Sequence, residues 1–303
     1  MKRLPILIIS VGLLAGCGTG GAGKLGPVPT GPARAASPSA SVSATQPAGS
    51  DQSPATMPTA TSPQSAPSQV SLQTWFTRQG KLFGTQRAVP ATVSVGRAAV
   101  DQLLAGPSSA EYAAGLRSPI PAGTQLRGLT ISSGTATVDL SSSFVSAASP
   151  ATMPIRIAQV VYTLAQFPTI TGVQFKLDGQ GVTVLGGVPV QGPQTASMYD
   201  GYLPPITVQN PAIGEQVSSP VTVAGTADVF EAVVSVRILD SAGNQIARTF
   251  STASCGTGCR GGYSIPVAYT LPRSEPGTIE VFESSPQNGQ PVNVQLIPVI
   301  LAP

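Results

Sequence analysis

The feature that most limits the fold of this 303-residue chain is a long stretch with almost no apolar side chains, from residue 18 to residue 70. It contains no aromatic residue and consists mostly of Ala, Gly, Pro, Ser and Thr. A segment of this composition cannot bury enough apolar surface to offset the entropy lost on ordering. We therefore interpret residues 17–70 as a disordered tether and expect the folded core within residues 71–303.

The N-terminus has the organisation of an export signal. A basic start precedes an apolar run from Leu4 to Ala15, which suits a signal-peptide core and is too short to span a bilayer. The run ends in "LAGC" at 14–17, which resembles the lipobox of bacterial lipoproteins. The resemblance implies removal of residues 1–16, lipidation of Cys17 and anchoring at the outer face of the cell membrane. The alternative is an ordinary cleaved signal followed by a chance cysteine.

Lipidation of Cys17 would leave one pair of cysteines, Cys255 and Cys259, in a compartment that permits disulfides. A zinc site needs about four ligands, and the chain has no histidine to complete one. A redox pair usually has two intervening residues within a thioredoxin-like fold, whereas three separate this pair. We therefore predict a disulfide between Cys255 and Cys259 that closes a glycine-rich loop.

The charged residues are few and unevenly distributed. The absence of histidine excludes Ser-His-Asp and Cys-His catalysis within the chain, as well as histidine-ligated metals. Residues 71–190 carry eight Lys/Arg and four Asp/Glu, whereas residues 201–303 carry four Arg and seven Asp/Glu. The basic region could face an anionic membrane surface or wall polymer, or dock on its acidic neighbour. The alternative is surface charge scattered without a role.

Residues 71–190 mix strand and helix patterns. The predicted elements are a strand pair at 71–90, a helix at 97–107, a hairpin at 125–141, a helix at 153–168 and a hairpin at 172–186. In the second helix the apolar residues recur every three to four positions, and we expect Arg156, Gln159 and Gln166 to face outward. The predicted fold is α+β, with a small sheet and two helices on one face.

Three blocks of this region occur in an order that resembles the GerMN domain of sporulation and spore-germination proteins: "LLAGPSSAEYAAGLRSPIPAGTQL", "VDLSSSF" and "RIAQVVYTLAQFPTITGVQFKLDG". The resemblance implies the α+β fold and carries no catalytic residues, because none are established for the family. It also implies protein–protein assembly in the cell envelope rather than chemistry.

After a linker at 191–204, the pattern changes to short strands with alternating polarity and no convincing helix. Such strands, with a hairpin turn at 241–244, predict an all-β sandwich over residues 205–303. Two stretches of this region, "NPAIGEQVSSPVTVAGTA" and "EVFESSPQNGQPVNVQLIPVIL", resemble the Gmad-type immunoglobulin-like domain. The resemblance implies that an immunoglobulin-like domain follows the GerMN-like domain.

The sequence offers few candidates for catalysis. Asp139 and Asp178 could form a carboxylate pair, but a strand end and a hairpin turn explain them better. The hydroxyls at 141–143 have no histidine base, and Lys176 would need to be buried to act in its place.

Two groups are candidates for binding. Glu275, Glu280 and Glu283 are close in sequence and could hold calcium, but strand alternation places Glu280 and Glu283 on opposite faces. The aromatic residues Trp75, Tyr199 and Tyr202 could stack on sugars, although interdomain aromatics more often pack a linker against its neighbours.

These observations favour a non-enzymatic surface lipoprotein that acts as an interaction or assembly module of the bacterial cell envelope. The expected partners are the membrane, through the lipid anchor, and an envelope protein or wall polymer. The alternative is a lipoprotein that binds cell-wall glycan. We expect no cofactor, no bound metal and no nucleic-acid partner.

Overall fold

The computed structural model describes residues 68–303, so the predicted signal peptide, the lipobox and Cys17 lie outside the described residues. The first element is a hairpin of β1 (Gln69–Arg78) and β2 (Lys81–Pro90). β1 thus begins within the last residues assigned to the tether. No helix among residues 68–303 is long and apolar enough to cross a membrane.

The rest of the first domain combines helices with a four-stranded sheet ordered β3-β4-β5-β6. Strands β4 and β5 are parallel and are connected through the longest helix, whereas the other pairs are antiparallel. The elements are α1 (Val95–Leu104), α2 (Ser109–Ala113), β3 (Leu126–Ser132), β4 (Thr135–Leu140), α3 (Met153–Ala165), β5 (Gly172–Leu177), β6 (Gln180–Gly181), β7 (Val184–Leu185) and β8 (Val188–Pro189).

The α+β fold class is confirmed, with two differences in detail. The hairpin β1-β2 forms its own ladder, and α1 and α3 contact both this hairpin and the four-stranded sheet. The short helix α2 was not predicted. It begins with a capping box, in which Ser108 Oγ accepts from Glu111 N at 3.3 Å and Ser108 N donates to Glu111 Oε2 at 2.6 Å.

The prediction that Arg156, Gln159 and Gln166 face outward on α3 is wrong. Arg156 and Gln159 are buried, and Gln166 is half-buried. Their side chains donate hydrogen bonds to backbone carbonyls of neighbouring segments, and these bonds offset part of the cost of burying polar groups. Arg156 Nη1 donates to the carbonyl oxygens of Phe144 and Ser146 at 2.8 and 2.9 Å.

The second domain is a sandwich of two sheets, which confirms the predicted immunoglobulin-like architecture. One sheet has the order β10-β16-β15-β12-β13 and the other β14-β11-β9. Their apolar inner faces form the core between them. The strands are β9 (Ile206–Asn210), β10 (Gln216–Val217), β11 (Val221–Ala227), β12 (Val233–Leu239), β13 (Gln245–Thr252), β14 (Gly261–Val267), β15 (Glu275–Ser284) and β16 (Pro291–Leu301).

The connection between the domains is folded onto the first domain. It contains a 3-10 helix, Ala196–Tyr202. Tyr162 of α3 donates its hydroxyl hydrogen to Asp200 Oδ1 at 2.5 Å, and Tyr199 donates to Gln194 Oε1 at 2.7 Å. These bonds fix the direction in which the chain enters the second domain, and the described residues 68–303 belong to one compact unit.

Candidate functional site

The two candidate catalytic carboxylates, Asp139 and Asp178, lie near each other at one end of the four-stranded sheet. Asp139 Oδ1 accepts from Gly179 N at 2.9 Å. Asp178 accepts from Arg127 Nε at 2.5 Å and from Ser142 N at 3.2 Å. Hydrogen bonding by Ser142, followed by Arg127, holds the pKa of Asp178 below its usual value. An ionised carboxylate with these partners stabilises the turn and is a poor general acid.

The three glutamates proposed for calcium do not converge. Glu275 accepts from Ser241 N at 3.2 Å, Glu280 is paired with Arg237, and Glu283 accepts from Phe230 N at 2.9 Å. Residues 68–303 contain no group of three His, Cys, Asp or Glu placed to hold a metal ion. Each glutamate therefore has a local structural partner.

The aromatic residues proposed for sugar stacking are mostly inaccessible. Trp75 is 4% exposed and lies 4.9 Å from the ring of Tyr162, between centroids. Tyr199 is 6% exposed, and Tyr202 is half-buried beside it. Because Trp75 and Tyr199 are buried, the proposal that they stack on sugars is wrong.

The structure joins Cys255 and Cys259 by a disulfide, with Cα atoms 5.7 Å apart. The loop they close connects β13 to β14 and rests on the preceding strand connection. Thr257 N donates to the Val229 carbonyl at 3.0 Å, and Gly258 N donates to Asp228 Oδ1 at 2.8 Å. The disulfide thus stabilises a loop that is already anchored by backbone bonds.

A cleft of about 710 Å³ lies at the junction of the two domains. The first domain contributes the β1-β2 turn from Arg78 to Phe83 and the residues after α2. The linker contributes Pro204 and Pro205, and the second domain contributes β16 from Asn293 to Pro298. Both domains and the linker therefore build one site.

Arg78 connects the two sides of this junction cleft. Its guanidinium carbon lies 4.1 Å from the centroid of the Phe83 ring, within the range of a cation–π contact. Its Nη1 donates to the Leu296 carbonyl at 2.8 Å, and its Nη2 donates to Gln295 Oε1 at 2.7 Å. Burial lowers the pKa of Arg78 to about 10, so it remains a cation at neutral pH.

Two other cations fix the linker at the junction. Lys81 Nζ donates to the Gly201 carbonyl at 2.8 Å, and Arg260 Nη2 donates to the Pro204 carbonyl at 2.8 Å. The ion pairs found among residues 68–303 each lie within one domain: Arg87–Glu111, Arg127–Asp178 and Arg237–Glu280. The oppositely charged domains thus meet through cations bonded to backbone carbonyls and a glutamine amide, without an ion pair.

Sequence reasoning did not identify this site. Arg78 and Leu296 are 218 positions apart, and no local pattern connects them. The available signal was the basic turn "RQGK" at 78–81 in front of an acidic second domain, which indicated only that docking between the domains was possible.

Two family models match the chain. "Sporulation and spore germination" (Germane) matches residues 67–183, and "Immunoglobulin-like domain of bacterial spore germination" (Gmad2) matches residues 205–290. None of the curated proteins matches the chain.

Solved structures are similar to parts of the chain. The first GerMN domain of the sporulation protein GerM from Bacillus subtilis is 25% identical, with 42% of this chain and 98% of that chain covered and a TM-score of 0.38. The tandem GerMN domains of the same protein are 15% identical, with 78% and 61% covered and a TM-score of 0.39. A putative lipoprotein from Clostridium perfringens is 21% identical, with 43% and 89% covered and a TM-score of 0.32.

Proposed function

Because the chain consists of a GerMN-type sporulation and germination domain followed by a Gmad2 immunoglobulin-like domain, we propose that it is a non-catalytic binding module of the bacterial cell envelope. Lipidated Cys17 would hold the module at the outer face of the membrane, as the "LAGC" stretch suggests. The module would recruit or assemble an envelope protein.

The observation that carries this proposal is the way the two domains are joined. The 3-10 helix of the linker is bonded to α3, and Arg78 bonds to β16 across the cleft. A two-domain protein with a fixed junction presents surfaces from both domains in one arrangement, which lowers the ordering cost of binding. The candidate catalytic groups, by contrast, are engaged in local structural contacts.

The anchor is tested by following the chain in cell fractions. Cys17→Ala removes the residue that would carry the acyl chains, so the protein should move from the membrane fraction to the soluble fraction. Two acyl chains give stable membrane binding, whereas one gives only marginal binding. The matched control is Cys255→Ala, which removes another cysteine and should leave the protein in the membrane fraction. Retention of the Cys17→Ala protein in the membrane would contradict lipid anchoring at this residue.

Binding is tested with the full chain, immobilised in detergent and exposed separately to solubilised envelope proteins and to protein-free cell wall. We expect a defined envelope protein to be retained and to be cross-linked to the chain in intact cells. A heat-unfolded sample controls for adhesion to exposed apolar surface. Retention of the chain by protein-free wall, with no envelope protein recovered, would overturn the proposal in favour of glycan binding.

A further inference from the structure

The junction cleft is positively charged and lacks its own counter-ion. Arg78 and Lys81 line it, and no Asp or Glu is among the lining residues. Neither cation belongs to an ion pair within residues 68–303. Arg78 is half-buried, so its unpaired charge costs free energy, part of which is regained when a partner of opposite sign binds. Lys81 is exposed and adds a second positive charge at the mouth of the cleft.

Both cations keep hydrogen-bond donors for a ligand. A guanidinium has five N–H donors, and the bonds from Arg78 to Leu296 and Gln295 use two of them. An ammonium has three, and the bond from Lys81 to Gly201 uses one. A carboxylate suits the remaining donors, because it accepts several charge-assisted hydrogen bonds.

One wall of the cleft is a strand edge that is only partly covered. β16 pairs with β15 on one side, and on the other side β10 pairs only with Ile300 and Leu301. In the part of the chain that the structure describes, the edge of β16 before residue 300 has no strand partner. It is partly covered, because the Pro298 carbonyl accepts from Gly214 N at 2.8 Å and the Leu296 carbonyl accepts from Arg78, so the Leu296 N–H is the group of this edge that an added strand would use. The Leu296 carbonyl is directed away from β15, since it accepts from Arg78. In an antiparallel pair the N–H of the same residue points to the same side.

The side chains on this part of β16 suit an extended polypeptide. Val294 and Leu296 are 38% and 45% exposed on one face of the strand, with Pro298 next in the same alternation. An added strand gains backbone hydrogen bonds from the edge and specificity from alternate side chains. A glycan would instead require an open aromatic face, and the face of Phe83 is covered by Arg78.

We propose that the junction cleft binds an extended acidic segment of a partner protein, with a carboxylate on Arg78 and Lys81 and the segment's backbone paired to the edge of β16. The inference rests on the proposed function, because it names the partner chemistry of that binding module. It makes the junction itself the recognition site.

The test uses the full chain in detergent and a synthetic peptide of alternating valine and glutamate, labelled with a fluorophore. We expect the anisotropy to show saturable binding, about tenfold weaker for the peptide with glutamine in place of glutamate. Lys81→Gln should weaken binding of the acidic peptide by a similar factor. Arg127→Gln is the matched control, because it removes an exposed cation of the same domain outside the cleft, and it should leave the affinity unchanged.

The backbone contribution is tested at Leu296. Leu296→Pro removes the N–H that faces the cleft, whereas Leu296→Ala removes the side chain and keeps the N–H. We expect the proline variant to bind the acidic peptide at least about fivefold more weakly than the alanine variant. Circular dichroism of each variant establishes that the two are compared in the folded state.

Equal binding of the glutamate and glutamine peptides, no binding of either, or full affinity in Lys81→Gln would overturn the proposal. Equal competition by inorganic polyphosphate and by the acidic peptide would also overturn it, since the cleft would then respond to charge alone. If an envelope protein is recovered equally by the native chain and by Lys81→Gln, the cleft proposal fails while the proposed function stands. If no envelope protein is recovered by the native chain, the proposed function itself fails.

Discussion

The two domains hold their strands in place by different kinds of contact. In the first domain, a hairpin that belongs to no larger sheet is fastened to a helix through buried polar side chains. In the second domain, every long strand is part of a ladder, and the two sheets meet through apolar side chains. The comparison shows that a buried polar residue can replace a strand neighbour where the topology provides none.

The fastening of the hairpin resembles a ladder made by side chains. Gln159 Nε2 donates to the Trp75 carbonyl at 2.7 Å, and Thr163 Oγ1 accepts from Trp75 N at 3.3 Å. One turn further, Gln166 donates to the Gln73 carbonyl and accepts from Gln73 N, both at 2.8 Å. The backbone groups of Gln73 and Trp75 are thus satisfied by side chains at the α3 side. Those of the next alternate residue, Thr77, pair with the backbone of Arg117 in an isolated bridge.

In the second domain, the charged pair Arg237–Glu280 bonds side chain to side chain and not to the backbone of a neighbouring strand. Arg237 and Glu280 lie opposite each other on β12 and β15, and the Arg237 guanidinium covers the Phe282 ring at 5.5 Å. The inner positions of the same strands are apolar and buried, such as Val236 and Ile279. The core of the sandwich therefore depends on apolar contact and on backbone ladders.

The largest expected effect on stability concerns one arginine of each domain, Arg156 and Arg237. Arg156→Met should lower the free energy of unfolding by about 3 kcal/mol, because it leaves the buried carbonyl of Phe144 and the part-buried carbonyl of Ser146 without this donor. Arg237→Met should cost less, about 2 kcal/mol, since Arg237 is partly exposed although its partner Glu280 is buried. Urea unfolding measures both, and equal costs would contradict the proposed difference between the domains.

The contrast also explains which parts of the fold could be predicted from the sequence. The strand predicted at 221–227 matches β11, and the one at 292–301 matches β16 to within one residue. The alternation of apolar and polar residues predicts these strands correctly, because one face of each strand is buried against apolar side chains. For the helix at 153–168, the apolar period predicted the element but not the burial of Arg156, because periodicity gives no information about polar residues that find backbone partners.

Two further features needed different information. The helix α2 was not predicted although its capping box, "SSAE" at 108–111, is visible in the sequence, because a helix of five residues is too short to show an apolar period. The junction cleft could not be predicted, since its walls come from the β1-β2 turn and from β16 at opposite ends of the described chain. Only the three-dimensional fold brings those segments together.

The second domain also differs from the first by containing a disulfide, between Cys255 and Cys259. Replacing Cys255 and Cys259 with serine should cost about 2 kcal/mol, the loop-closure entropy of so short a ring. Differential scanning calorimetry with and without reductant measures the loss, and the double variant should no longer respond to reductant. An unchanged melting temperature would show that the backbone bonds of the loop, such as Thr257 N to the Val229 carbonyl, are sufficient.

A smaller effect is expected for a single member of the side-chain ladder. Gln159→Met should cost about 1 kcal/mol, because the donor to the Trp75 carbonyl is lost while the volume is kept. The matched control is Gln174→Met on β5, where the glutamine is exposed and the change should be close to zero. Urea unfolding that gives the same value for both variants would show that the bond from Gln159 does not hold the hairpin.

The smallest effect expected near neutral pH concerns four tyrosines with raised pKa values, two in the first domain and linker and two in the second domain. Burial raises the pKa of Tyr162 and Tyr199, whose hydroxyls bond side chains, and of Tyr263 and Tyr269, whose hydroxyls bond backbone carbonyls. The pKa of Tyr199 rises to about 12, whereas an unfolded tyrosine ionises near pH 10.

The unfolded chain therefore releases the Tyr199 proton first, and stability falls as the pH rises from about 10 towards about 12. At pH 10 the loss from Tyr199 is only about 0.4 kcal/mol. Absorbance of phenolate at 295 nm should show delayed ionisation in the folded chain and a step increase when urea is added at about pH 11. Tyr199→Phe should reduce that step. Complete ionisation of the folded chain near pH 10 would contradict the protection of these hydroxyls by burial, which is the first cause of each raised pKa.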